Sequence, residues 1–203
     1  TTKGFRDVVE IRRGYKNIRT SMYNVFVPPY DPLVPRHLRM EVEERVLFDG
    51  SVHTELNEDD VRRVSAELKA KGVEALAVCF LHSYANDDHE KRAAAIAREV
   101  MGEDVYITTS ADILSVWREF ERFSTTSVSA YTGPEVKGYM ENLVSRLDKN
   151  AFGGTLLMML SDGLVETVEY CKPRVVNLIG SGPAAAPAAA VYMGNAAGHK
   201  NLL

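Results

Sequence analysis

Val73-Glu74-Ala75-Leu76-Ala77-Val78-Cys79-Phe80-Leu81 is an almost unbroken apolar run, with Glu74 as its single charge. A strand with one wet face alternates apolar and polar residues, whereas a continuous run suits a strand covered on both faces, as in a parallel sheet. Working outward, Asn57 reads as a helix N-cap, with Glu58, Asp59 and Asp60 complementing the dipole of the first turn. Val61, Val64 and Leu68 then fall on one helical face, and Lys69, Lys71 and Gly72 close the segment. On the other side of the run, a second helix is predicted from Asn86 to Gly102, burying Ala93, Ile96, Ala97 and Val100. Residues 105–109 supply a second strand. Two strands joined by a helix predict a crossover within one sheet and an α/β fold.

Towards the N-terminus, Phe5, Val8 and Val9 mark a short amphipathic turn. Residues 15–35 are rich in Tyr, Pro and Asn, and Pro28, Pro29 and Pro32 forbid a regular helix, so an extended, packed-down loop is expected. Residues 35–52 alternate Leu38, Met40, Val42, Val46 and Phe48 with charges, which predicts antiparallel strands around a turn at Asp49-Gly50.

Towards the C-terminus, Leu114, Trp117, Phe120, Val128 and Tyr131 predict a long helix from Ile113, broken at Gly133-Pro134. A further helix is predicted over 135–147 and a third strand over 155–160, with Ser161-Asp162-Gly163 as its turn. Residues 175–179 suggest a fourth strand. The Ser181-Gly182-Pro183 turn then opens an Ala-rich helix that Gly198 stops. Its tiny side chains suit close packing against a neighbour. The expected organisation is an extended loop with antiparallel strands over 1–52, an α/β subdomain with long helices over 53–150, and a partial core over 151–203. Residues 200–203 read as the start of a strand, and the abrupt ends read as those of a middle piece of a longer protein.

The 203 residues carry a formal net charge of −4, which argues against a nucleic-acid binder. Hydrophobic residues at 45% and charged residues at 26% are globular values and argue against disorder. Cys79 and Cys171 stand far apart and read as buried thiols of a reduced, cytoplasmic protein. No signal peptide is visible, and no apolar run reaches the roughly 20 residues of a membrane span.

His82 and His89 with Asp87, Asp88 and Glu90 offer metal-ligand chemistry. The acids fall where a helix begins, however, and complement its dipole without a metal, so no metal site is expected. Arg118, Glu119, Glu121 and Arg122 suit either a grip on an anionic substrate or a solvated, ion-paired helix face. Ser124-Thr125-Thr126 places competing hydroxyls inside a helix, which close packing or a polar cleft would explain. Ser161-Asp162-Gly163 follows a strand at the edge where ligands sit in open α/β sheets, although an ordinary turn has the same composition. Gly180-Ser181-Gly182 opens a helix whose free N–H groups can approach a phosphate closely. Neither the P-loop nor the dinucleotide fingerprint is present, and spacing alone assembles no nucleophile–base set.

Several of these runs resemble a known family when taken together. Val78-Cys79-Phe80-Leu81-His82-Ser83-Tyr84 with Asp88-His89-Glu90 resembles a signature of the hydantoinase A/5-oxoprolinase family, which includes acetone carboxylase subunits. Arg118-Glu119-Phe120-Glu121-Arg122 with Ser124-Thr125-Thr126, Ser181-Gly182-Pro183-Ala184-Ala185, and residues 1–11 resemble it too, so the likeness runs along the whole chain. The resemblance implies an actin-like ATPase fold, shared with sugar kinases and heat-shock chaperones, and an enzyme using ATP with Mg. Such enzymes activate an inert carbonyl, so that a lactam or hydantoin is opened or a ketone is carboxylated; the alternative of another class is a non-catalytic module that mainly contacts partner subunits. It further implies a hydantoinase B-like partner subunit or domain, and a small cyclic amide or ketone as substrate.

On this reading Ser161, Asp162, Gly163, Gly180, Ser181 and Gly182 lie near nucleotide or substrate, while Arg118, Glu121, Arg122 and Thr125 lie on the substrate side. The two phosphate hairpins of the fold are expected outside residues 1–203, so the chain by itself is expected to bind no cofactor and to be inactive. Catalytic residues are not assigned. Two departures stand out: Leu160-Ser161-Asp162-Gly163-Leu164 replaces the Gln-Ser-Asn-Gly-Gly of many relatives, and Pro187 predicts a kink or a later helix start. Residues 15–20 and 27–30 look closer to the carboxylase-like members.

Overall fold

The computed structural model describes residues 1–11, 23, 24, 26, 31–199 and 201. Most of the loop expected over 15–35 and most of the strand expected over 200–203 lie outside the described residues. The chain divides into two compact units, Thr1–Ala130 and Tyr131–Leu203.

In the first unit, β1 (Arg45–Val46) pairs antiparallel with β2 (Val52–Thr54) around the expected turn, where the Gly50 N–H donates to the Leu47 carbonyl. Helix α1 (Glu58–Ala70) is capped as expected, the Asn57 side chain accepting from the Asp60 N–H, and it buries Val61, Val64 and Leu68. Strand β3 (Ala75–Val78), helix α2 (Asp88–Met101) and strand β4 (Tyr106–Thr109) form the predicted strand–helix–strand unit, with β3 and β4 parallel and in register from Ala75–Tyr106 to Val78–Thr109. The apolar run does bury two faces. Leu76, Val78 and Phe80 join the cluster built with Val61, Val64, Leu68, Ala93 and Ile96, while Ala77, Cys79 and Leu81 join Phe123, Val8 and Val9. Burial of a side chain such as Phe80, 2% exposed, contributes about 1.5–3 kcal/mol.

The predicted helix from Ile113 is interrupted. Helix α3 (Ser110–Ile113) ends there, and Arg118 adopts a left-handed φ of +88° before α4 (Glu119–Lys149) begins. Trp117 is thereby left outside any helix and 66% exposed. The break expected at Gly133-Pro134 is absent, and α4 runs through Pro134. Proline's fixed φ is itself helical, and what it removes is one hydrogen bond to the Ala130 carbonyl.

In the second unit, β5 (Leu157–Met159) pairs antiparallel with β6 (Val165–Thr167), a strand the periodicity does not reveal. Short α5 (Val168–Cys171) is capped by Thr167, whose hydroxyl accepts from the Tyr170 N–H. The strand expected over 175–179 is instead a 3-10 helix, Val175–Leu178, in which local bonds such as Asn177 N–H to the Arg174 carbonyl satisfy the backbone. Val175 is its one buried residue, too little for a strand face. Helix α6 (Ser181–Ala196) starts at once, against the later start expected, and passes through Pro187. It closes with a Gly198 at φ +77°, where Gly198 N–H reaches the Asn195 carbonyl and His199 N–H the Gly194 carbonyl. Among the described residues of this helix Gly194 is the buried one, the helix touches β5, and Val191, Tyr192 and Met193 are exposed. The described residues thus form a mixed α/β structure with three two-stranded sheets.

Candidate functional site

The first unit gathers its polar chemistry where β3 and β4 end, the edge at which open α/β sheets receive ligands. Residues 79–84 leave β3 there, and Ser110 leaves β4. Arg122, three residues into α4, reaches this edge and is fully buried. Its guanidinium donates to the Phe80 carbonyl (2.8 Å), to the Ser110 hydroxyl (3.0 Å) and to the Ser83 hydroxyl. The rings of Tyr84 and Phe123 lie 5.8 and 5.3 Å away, within cation–π range. Its Nε is buried and has no hydrogen-bond partner among the described residues.

Glu90 faces this cation from α2. Its carboxylate accepts from the Phe80 N–H (2.7 Å), the Ser110 hydroxyl (2.6 Å) and the Ala111 N–H (2.9 Å). Burial pushes its carboxyl above the usual carboxylate range, and those three donors together with Arg122 act against that push. Phe80 is therefore held at both ends by opposite charges. The neighbouring Leu81 N–H donates to the Thr2 hydroxyl (3.0 Å), which donates on to Glu44, and Glu44 accepts from His89 Nδ1 (2.9 Å).

His82 sits between these clamps in a left-handed conformation, φ +56°. Its Nδ1 lies 2.9 Å from the Val46 carbonyl, and a carbonyl only accepts, so Nδ1 carries a proton and the lone pair of the neutral form of the ring is on Nε2. The ring is half-buried and stands edge-on to Tyr84, centroids 6.0 Å apart.

The substrate-side residues named from sequence divide. Arg122 and Thr125 are engaged within the protein: Thr125 donates to the Glu121 carbonyl, as Thr126 and Ser127 do to theirs one turn back. Close packing, not an open polar cleft, explains Thr126, which is fully buried. Glu121 is half-buried and Arg118 is exposed, its guanidinium 4.5 Å over the Trp117 ring. Of the groups weighed as metal ligands, Glu90 and His89 are committed to the bonds above. Among the described residues no three His, Cys, Asp or Glu side chains gather to hold an ion. Ser83 and Ser110 were passed over in the sequence. Ser83 stands inside a quoted run, but nothing in spacing reveals that Ser110 would meet it.

In the second unit, Ser161-Asp162-Gly163 forms the β5–β6 turn. The Asp162 carboxylate accepts from the Leu164 N–H (2.9 Å), and the Ser161 N–H donates to the Asn177 carbonyl (2.7 Å). A Cβ on Gly163 would lie 3.7 Å from the Ala184 carbonyl oxygen, so this turn rests beside the first turn of α6. Gly180 precedes that turn at φ +76°, Ser181 and Gly182 open it, and it contains no acidic residue. The turn and the helix start named separately from sequence are thus neighbours. Small side chains and backbone donors at this point fit an anionic group.

Comparison with known proteins adds a consistent result. Family descriptions match twice: "Hydantoinase/oxoprolinase N-terminal region" over residues 1–101 and "Hydantoinase/oxoprolinase" over residues 122–203. An uncharacterized protein of Methanocaldococcus jannaschii is 38% identical over 192 residues, covering 95% of this chain and 28% of that protein. The caprolactamase subunit alpha of Pseudomonas jessenii is 32% identical over 202 residues, covering 100% of this chain and 29% of its own length. The crystal structure of the ATP-dependent caprolactamase from that organism superposes with a TM-score of 0.82 over 97% of this chain and 28% of its own. The acetone carboxylase beta subunit of Xanthobacter autotrophicus is 29% identical over 177 residues, covering 85% of this chain and 24% of that subunit. The chain spans less than a third of the length of each of these relatives.

Proposed function

This chain belongs to the hydantoinase/oxoprolinase family, and from that premise we propose that it is the central part of an enzyme that uses ATP to open a cyclic amide. The likeness to the ATP-dependent caprolactamase, sustained over 97% of the chain, carries this reading. On it, the chain forms part of an actin-like ATPase fold, with residues 151–203 a partial core and residues 53–150 the substrate side. An amide carbonyl resists water because its nitrogen donates into it. ATP with Mg, when bound, would supply a phosphoryl group that activates the carbonyl carbon to water, so that the ring's carbon–nitrogen bond breaks, the nitrogen takes a proton from that water, and ADP and phosphate leave. The residues that would hold the nucleotide's phosphates are the backbone donors of Ser181 and Gly182, beside the Ser161-Asp162-Gly163 turn. They are small and carry no competing negative charge in the helix's first turn. No residue of this chain is assigned to Mg. Arg118 and Glu121 remain the proposed substrate-side groups.

A hydantoinase B-like subunit or domain is the proposed partner, since the caprolactamase and acetone carboxylase relatives are themselves named as subunits. The second reading, a ketone carboxylase subunit, is favoured by the acetone carboxylase relative. Turnover assays separate the two. The full-length protein, with its partner, is supplied with ATP and either 5-oxoproline, hydantoin, caprolactam or acetone with bicarbonate. Lactam-dependent release of ADP and phosphate supports the first reading and a carboxylated ketone the second. ATP turnover with none of them overturns both.

A further inference from the structure

Phe80, Leu81 and Ser83 are buried, with half-buried His82 among them, and the side chains of Thr2, Glu90 and Arg122 hold this segment. A guanidinium takes the Phe80 carbonyl and the Ser83 hydroxyl, a carboxylate takes the Phe80 N–H, and the Thr2 hydroxyl takes the Leu81 N–H. These four bonds bracket His82, whose backbone lies in the left-handed region at φ +56°. A non-glycine residue held there costs free energy and persists when its surroundings over-determine it. Burying Arg122 and Glu90 is itself costly, because an apolar pair of similar volume would stabilise the fold as well or better. The cost falls on a short segment at the ligand-receiving edge of a parallel strand pair.

We propose that Arg122 is a positioning residue: with Glu90 as counter-charge it fixes the loop after β3, so that His82 donates through Nδ1 to Val46 and offers Nε2 as a hydrogen-bond acceptor beside the end of β3. The ligand such a nitrogen receives is one presenting an N–H or O–H, such as a cyclic amide or the water that opens it. This deepens the function proposed above and rests on it only for the ligand's identity. It also moves Arg122 from gripping substrate to holding the residue that faces it. The route runs through contacts already described. Ser83 is the next residue after His82, Phe80 is two before it, and the Arg122 cation lies under the Tyr84 ring that stands edge-on to His82.

The test uses the full-length protein and its Arg122→Met, Arg122→Lys and Ser83→Ala variants. The 15N shifts of the His82 ring report its tautomer, thermal melting reports folding, and steady-state assays separate kcat from KM. In the parent, His82 is expected to show a protonated Nδ1 and a bare Nε2. Arg122→Met, melting cooperatively, is expected to lose that single-tautomer signature and to lower kcat by about 10- to 100-fold, the scale of a small misplacement, with KM for ATP unchanged. Arg122→Lys is expected to recover the signature in part, since Lys replaces the charge but not the fork. Should Arg122→Met fail to fold, Ser83→Ala, which deletes one clamp bond, is expected to blur the tautomer signature at unchanged melting behaviour. Folded variants that keep both the parent tautomer and the parent kcat overturn the proposal. If the parent shows no ATP-driven turnover, the function fails instead, and the ring shifts still judge the positioning role.

Discussion

Glu90 and Arg122 meet through a shared hydroxyl: Ser110 donates to the Glu90 carboxylate at 2.6 Å and accepts from the Arg122 guanidinium at 3.0 Å. Both charges lie inside the first unit, Glu90 and Arg122 each fully buried. Removing one partner of such a buried pair leaves the other uncompensated, at a cost of about 3–5 kcal/mol. Arg122→Met is therefore expected to destabilise strongly in urea unfolding. Combining it with Glu90→Gln is expected to recover part of the loss, because the orphaned charge has gone. A double variant as unstable as the sum of the two singles would show that the groups are not coupled.

A surface pair bears on the acid response. Arg92 Nε and Nη2 donate to the two oxygens of Glu58 at 2.6 and 2.8 Å, joining α2 to the start of α1. The Arg92 hydrogen bonds, with help from Arg62, hold the Glu58 carboxyl at about 2. A carboxyl depressed in the folded state contributes stability above its unfolded value of 4.5, and that contribution disappears as pH falls through about 2. Glu58→Gln is expected to lower the melting temperature at pH 7 and to flatten its fall between pH 4.5 and 2. Parallel acid profiles for the two proteins would show that the pair contributes nothing.

Cys79 lies in the packed face of the β3 run, where burial pushes its thiol up to about 12. The thiolate is the reactive form, so alkylation at pH 8 requires the first unit to open. Iodoacetamide is expected to label Cys79 in the native protein at the rate of that opening, and rapidly in 8 M urea or at any other denaturant concentration that unfolds the chain. Fast labelling without denaturant would mean that the Leu81–Phe123 cluster does not seal this face.

Much of the first unit was legible because its signals are local. Asn57 caps α1, the acids follow it, and the run from Val73 buries alternate residues in two clusters, as a doubly covered strand must. The second unit was less so. Val165-Glu166-Thr167 is too short to show a period, and residues 175–179 contain β-branched residues but only one that is buried. The site divided along the same line. His82, Glu90 and Arg122 stand in runs that drew notice, yet their meeting depends on Ser83 and Ser110, brought together by the pairing of β3 with β4. Spacing within a single segment cannot express a contact of that kind.

Helix α4 offers the sharpest conflict between local preference and structure. Pro134 is exposed in the middle of a helix that continues to Lys149, and its ring leaves the Ala130 carbonyl without the usual N–H four residues on. Proline inside a helix is worse than alanine by about 3 kcal/mol. Since no burial is lost at an exposed position, Pro134→Ala is expected to stabilise the chain by up to about that amount, read as a higher urea midpoint at unchanged slope. The gain should come without a rise in helical circular dichroism beyond a residue or two, because the helix is already formed on both sides. A large rise in helicity would mean instead that the proline does break the helix in solution, and that residues 135–147 form the separate segment their sequence suggests.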